Sequence, residues 1–302
     1  MNLPTSVAER VNVALKTRKA VVPAAGLGTR LLSATKEQPK EMLPVFAAGE
    51  DDALCLKPMV QRIFEQLFDF GIREFYFIVG KEKRAIEDHF TPDAEYVNRL
   101  SSHGKSGQAT QLSEFYGKIR ASSIVWVNQP EPRGFGDAVL QAQRLVGGEQ
   151  FLVHAGDTYI ISDMPTVHSR LVDAHANGGA DATLALQEVT DPRQYGVAEI
   201  EASKADILDV KRVVEKPVRP ATNLAIMPLY IFNPTIFDAL RATRPDSGGE
   251  VQLTDAIQHL IDGGHRVRAI RLGHDDIRLD IGTPETYWEA LELSHRYALS
   301  RK

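Results

Sequence analysis

Residues 23–44 read PAAGLGTRLLSATKEQPKEMLP, and they concentrate more chemistry than any other stretch of the chain. Gly26 and Gly28 let the backbone pass close to a ligand, so that amide N–H groups face an anion without side chains in the way. Arg30 and Lys40 add two positive charges to the same stretch. Backbone donors combined with two cations suit a triphosphate, because the amides wrap phosphate oxygens while the cations offset charge gathering on a departing pyrophosphate. For the two glycines alone, a glycine-rich turn without a ligand is the plain alternative; the longer string argues for a phosphate site. A dinucleotide fingerprint would need a third small residue where Leu31 stands, and a Walker loop would need lysine directly after its last glycine. Neither pattern is met.

A phosphate loop needs a strand to carry it, and KAVVPAA (19–25) supplies one. EFYFIVG (74–80), SSIVWVN (122–128) and FLVHAG (151–156) are further short runs of the buried-strand type. Helical patterns lie between them. Pro58 opens a stretch with Met59, Ile63, Leu67 and Phe70 on helical spacing that stops at Gly71, and residues 137–146 and 165–177 repeat the logic. Successive βα units of this kind, joined by right-handed crossovers, predict a doubly wound, mainly parallel α/β sheet that binds ligands at the strand carboxyl ends.

Further along, ATLALQEV (182–189), VAEIE (197–201), ILDVKRVVEK (207–216) and IMPLYIF (226–232) follow one another with little helix between them, which predicts an antiparallel subregion. Helices are predicted again over 234–242 and 251–262, a strand over 267–272, and a C-terminal helix from Pro284 toward Tyr297. At the other end, Thr5 or Ser6 before Val7, Val11 and Leu15 predicts a capped amphipathic helix over 4–16, an extension (1–18) ahead of a single domain, 19–302. The polar segment 91–118 and AAGEDDA (47–53) read as mobile surface excursions.

Composition narrows the function classes. The 302 residues are 43% hydrophobic and 25% charged, as in ordinary globular proteins, with a net charge of −5. Such a chain lacks the general cationic field that draws proteins to nucleic acid or anionic lipid, so neither is expected as a partner. Cys55 is the single cysteine, which rules out intramolecular disulfides and points to a reducing compartment. No apolar run reaches membrane-spanning length, and Glu9, Arg10 and Lys16 stand where a signal peptide would be apolar, so the expected location is the cytoplasm. The nine histidines show no ligand spacing, and His89, His154 and His259 are assigned no chemistry.

AAGLGTR (24–30) followed by PKEMLP (39–44), then VVEKP (213–217), NLA (223–225) and GEVQLTDAI (249–257), resembles, in order and spacing, the sugar-phosphate nucleotidyltransferases, and among them the bacterial and archaeal UTP–glucose-1-phosphate uridylyltransferases. The likeness runs from residue 19 to about 290 and implies a Rossmann-like sheet with a nucleotide-binding half (19–160) and a sugar-binding half (161–302). It also implies the reaction: a sugar 1-phosphate attacks the α-phosphorus of UTP in line and expels pyrophosphate, with Mg2+ bridging the phosphates. No protein nucleophile is needed, since the sugar phosphate is already ionised; the barrier lies in bringing two polyanions together.

By this resemblance Arg30 and Lys40 meet the triphosphate, and Lys216 reaches the phosphate of the sugar substrate or product. Asp157, in GDT, and Asp280, in RLDIGTP, are the implied metal ligands, Asp157 also facing the nucleotide. Ala25, Gly26, Gln129 and Gly134 are implied in base recognition, and Tyr195, Gly196, Glu215 and Asn223 in sugar recognition. One departure stands out: where uridylyltransferases often read Gly-Leu-Gly-His-Ala, this chain has Gly134, Phe135, Gly136, Asp137 and Ala138. A dTTP-using or other-sugar transferase of the same fold, and a catalytically weak paralogue that binds nucleotide-sugar, are the alternatives; an NAD-dependent dehydrogenase is the rival from another class. The family resemblance further implies a homodimer or homotetramer, with the helix over 284–300 as an interface.

Overall fold

The computed structural model describes residues 17–49, 53–164, 166–201 and 206–300; the helix expected over 4–16 lies outside the described residues. Strands β1 (Lys19–Ala24), β4 (Glu74–Val79), β5 (Ser123–Asn128) and β6 (Phe151–His154) form in the places the apolar runs predict, and β2 (Pro44–Ala48) and β3 (Leu54–Pro58) make a separate hairpin. The second half contributes β7 (Thr158–Ile161), β8 (Ala182–Glu188), β9 (Gly196–Ile200), β10 (Ile207–Glu215), β11 (Leu224–Phe232), β12 (Val267–Arg271) and β13 (Ile277–Asp280).

Nine strands make the central sheet, in the order β5-β4-β1-β6-β11-β8-β12-β10-β9. The first four run parallel, as βα crossovers require. From β6 onward the pairing turns antiparallel, β6 with β11, β11 with β8 and β10 with both β12 and β9, while β12 runs parallel to β8. Burial follows the pleat. Ala20, Val22 and Ala24 of β1 face a core containing Phe64, Phe75, Phe77 and Phe115, whereas Val21 faces a second core with Phe151, Phe237 and Ile257. The helix Met59–Phe70 buries Met59, Ile63, Phe64 and Leu67 on one stripe against the first core.

The segment 91–118 is not the mobile excursion its polarity suggests. It forms two helices, Ala94–Ser102 and Ser106–Arg120, and the second seats Phe115, Tyr116 and Ile119 in the core. Residues 47–49 likewise belong to the β2–β3 hairpin or its turn, with Ala47 paired to Cys55, while 50–52 lie outside the described residues. The helix expected over 137–146 begins at Phe135 and breaks into two, Phe135–Gln141 and Gln143–Val146. The C-terminal helix, Pro284–Ser300, packs Ala290, Ser294 and Ala298 inward along one stripe. Among the described residues no helix is long and apolar enough to cross a membrane.

Candidate active site

β1 and β6 lie side by side near the middle of the sheet, and beyond their carboxyl ends opens a cleft of about 500 Å³. A Gly156 N–H donating to the Pro23 carbonyl (2.9 Å) ties the two strand ends together. After β1, Gly28 takes a left-handed conformation (φ 66°) that turns the chain into the short helical turn Thr29–Leu31, with Thr35 Oγ1 donating to the Gly28 carbonyl at 2.8 Å. Ala25, Gly26, Gly28 and Arg30 thereby line one wall of the cleft, and Lys40 and Asp157 line its floor.

The Lys40 ammonium donates to Asp157 Oδ2. Burial alone would push this lysine down, but the carboxylates of Asp157 and Glu41 outweigh burial and hold it above the ordinary lysine range. Lys40 therefore stays charged. Burial would raise Asp157, yet the facing Lys40 holds its carboxyl below the usual range. Glu41, itself buried, accepts from the equally buried Lys83 at 2.9 Å, so the Lys40 turn is pinned to the loop that follows β4.

Asp280 reaches the same place by a route the sequence patterns did not reveal. β7 and β13 form a two-stranded antiparallel ladder in which Asp280 pairs with Thr158, and Ile281 N–H donates to the Asp157 carbonyl at 3.0 Å. Thr158 Oγ1 donates to Asp280 Oδ1 at 3.2 Å. Burial, and then the charge on Asp157, push the Asp280 carboxyl above its ordinary range. Asp157 and Asp280, two hard carboxylates brought into one cleft, are residues that could hold Mg2+, an ion commonly held by one or two carboxylates together with substrate phosphates and water.

The turn expected to read the base sits across the cleft. Gln129, 5% exposed, and Gly134, Phe135 and Ala138 line it. Gly134 has φ 95°, and a Cβ there would lie 2.9 Å from the Val251 carbonyl oxygen, so this turn closes onto the GEVQLTD segment only as glycine. Two backbone bonds complete that closure: Val251 N–H to the Arg133 carbonyl (2.8 Å) and Gly136 N–H to the Val251 carbonyl (2.9 Å). Glu250, from the same segment, also lines the cleft.

At the remaining end the expected sugar residues divide. Tyr195 lines the cleft, its hydroxyl accepting from Arg278 Nη2 at 3.1 Å. Gly196 and Glu215 lie behind it as paired neighbours of β9 and β10, and Thr254 Oγ1 donates to Glu215 Oε2 at 2.6 Å. Lys216 is half exposed, has φ 39°, and pairs with its neighbour Glu215 at 3.2 Å. Asn223 is exposed and serves through its backbone carbonyl, which accepts from Val189 N–H at 3.0 Å. Gly196, Glu215, Lys216 and Asn223 are thus outside the cleft wall as it stands. Sequence reasoning missed Glu41, Lys83, Glu250 and Thr254; three of the four lie inside quoted motifs, and Lys83 carried no signal of its own.

An open α/β sheet whose glycine loop, lysine and two carboxylates converge beyond the ends of β1 and β6, where the strand order reverses, defines a protein built to handle phosphorylated ligands. Residues 19–296 match the family model described as Nucleotidyl transferase, and the chain belongs to that family. It is 39% identical over 249 residues to a UTP–glucose-1-phosphate uridylyltransferase of Staphylococcus epidermidis, covering 81% of this chain and 82% of the relative. A protein of the same description from Staphylococcus saprophyticus is 38% identical over 252 residues, 82% of each chain. Among solved structures it resembles apo UDP-glucose pyrophosphorylase (TM-score 0.83, 30% identity, covering 95% of this chain and 100% of that one). A UTP-bound UGPase from Acinetobacter baumannii is also similar, with TM-score 0.79, 27% identity and 94% of each chain covered.

Proposed function

We propose that this protein is a Mg2+-dependent UTP–glucose-1-phosphate uridylyltransferase, forming UDP-glucose and pyrophosphate. The observation that carries the reading is the junction of Lys40, Asp157 and Asp280 beneath the glycine loop, in a chain whose relatives bear that activity in their names. An oxygen of the sugar 1-phosphate attacks the α-phosphorus as the bond to the pyrophosphate oxygen breaks, so no proton need move and no covalent intermediate forms on the protein. Lys40, fixed between carboxylates, presents a permanent positive charge to the α-phosphate, and Arg30 at the exposed edge of the loop takes the β- and γ-phosphates. Asp157 and Asp280 would hold Mg2+, which when bound would supply further charge neutralisation to the phosphates.

In this reading residues 19–160 form the nucleotide half, with Ala25, Gly26, Gly28, Gln129 and Gly134 around the nucleotide. Residues 161–302 form the sugar half, in which Tyr195, Gly196, Glu215 and Asn223 border the pyranose and Lys216 swings from Glu215 to the sugar phosphate. Its multiply charged substrates cannot cross a bilayer unaided, which supports a cytoplasmic location, and the exposed Trp288 supports self-association through the C-terminal helix. Purified protein given UTP, glucose 1-phosphate and Mg2+ is expected to release pyrophosphate and UDP-glucose. A panel of nucleotides and sugar phosphates tests the assignment: a clear preference for dTTP or another sugar would replace it, and no product from any pair would end it.

A further inference from the structure

Asp137, one of the two positions at which this chain departs from the Gly-Leu-Gly-His-Ala pattern, has a definable task. It lies in the first turn of the helix Phe135–Gln141, is 6% exposed, and accepts from Gln129 Nε2 at 2.7 Å. The same Gln129 nitrogen also donates to the Gly134 carbonyl at 3.2 Å. A carboxylate and a carbonyl are acceptors here, so the amide can face them only with its NH2 group, and both its N–H bonds are thereby engaged. Gln129 Oε1 is the atom left over. It has no hydrogen-bond partner among the described residues and belongs to a side chain that lines the cleft.

We infer that Asp137 is a specificity-positioning residue: by locking the Gln129 amide it makes the site offer an acceptor to the base, which selects pyrimidines bearing an imide N–H. The inference rests on the reading that the cleft takes a pyrimidine nucleoside triphosphate. Uracil and thymine carry a hydrogen on N3 that Oε1 accepts. Cytosine carries a lone pair there, and two acceptors would face each other in a buried setting, each left unpaired. This contact separates uracil and thymine from cytosine and does not separate the first two from each other.

The test has a wild-type arm and a variant arm, both read as kcat/KM with glucose 1-phosphate. Wild-type protein is expected to prefer UTP over CTP, and over N3-methyl-UTP, by at least about a hundredfold, as sites built around a hydrogen bond do. Asp137→Asn keeps the shape but can donate as well as accept, so only the longer bond to the Gly134 carbonyl still orients the Gln129 amide; the UTP/CTP ratio is expected to fall at least about tenfold. Asp137→Ala, with folding of both variants checked by thermal melting, should relax the ratio in the same direction. Wild-type protein that uses CTP or N3-methyl-UTP as well as UTP overturns the inference whether or not the variants fold. So does a folded Asp137→Asn that loses activity equally with both nucleotides. Absence of product with every nucleotide overturns the substrate reading and this inference with it.

Discussion

Lys40 and Lys216 are the two lysines assigned to phosphate, and they sit in opposite circumstances. Lys40 is mostly buried and bound to Asp157, with Glu41 and Lys83 locked beside it. Lys216 is half exposed and pairs with the residue before it in sequence. In the proposed reading one end of the cleft is therefore built before substrate arrives, and the other would be completed by it. The difference teaches where binding free energy goes: a preset cation stabilises a transition state without reorganisation, whereas a loose one must first be drawn in by its ligand.

The comparison is broken most forcefully behind Lys40. Lys83→Met leaves Glu41 buried without its partner and is expected to destabilise the fold by about 3–5 kcal/mol, read from denaturant unfolding. Lys40→Ala should fold, yet pyrophosphate release should drop at least about a hundredfold, and Asp157→Asn should match it. Wild-type-like turnover in both would remove the contrast between the two ends.

Acid sharpens the same point. His154, three residues before Asp157, stacks on His168, and both imidazoles are fully buried with Nε2 unpartnered. Burial pushes them down from 6.5 to about 4 and about 3, so between pH 6.5 and 4 the unfolded chain binds protons that the folded one refuses. Stability is fully present above that window and falls as pH drops through it, by on the order of 3 kcal/mol for each group. Replacing His168 by Phe should flatten the acid slope of the melting temperature.

Smaller effects belong to the sugar end. Thr254→Val removes the hydroxyl that holds Glu215 Oε2 and is expected to raise KM for glucose 1-phosphate about tenfold while leaving KM for UTP unchanged, with Thr254→Ser restoring it. Lys216→Ala should weaken sugar-phosphate use but change stability by less than about 1 kcal/mol, because an exposed pair contributes little to the fold.

Much of this was legible from residue patterns, for reasons that are local. The apolar runs of β1, β4 and β6 announce themselves because nearly every residue in them is buried, and the stripe along Met59–Phe70 because burial of one face imposes a helical period. Ala94–Ser102 fully buries no residue and only partly covers Val97 and Leu100, too short a stripe to mark it as a helix. β7 and β13 are four residues each and pair only with each other, which leaves no alternation long enough to read, although they are what joins Asp157 to Asp280. Glu41 and Lys83 form a contact across 42 positions; nothing local distinguishes either from a surface charge. Lys40, Asp157 and Gln129 were named from the sequence and all line the cleft, but what fixes each of them was not legible.

The β7–β13 ladder also sets an order on biosynthesis. Among the described residues Asp280 ends the last strand, β13, which is made long after the glycine loop and Asp157. A nascent or truncated chain ending short of it can present a nucleotide loop with one carboxylate, but not the pair. The two carboxylates come together only once β13 docks onto β7.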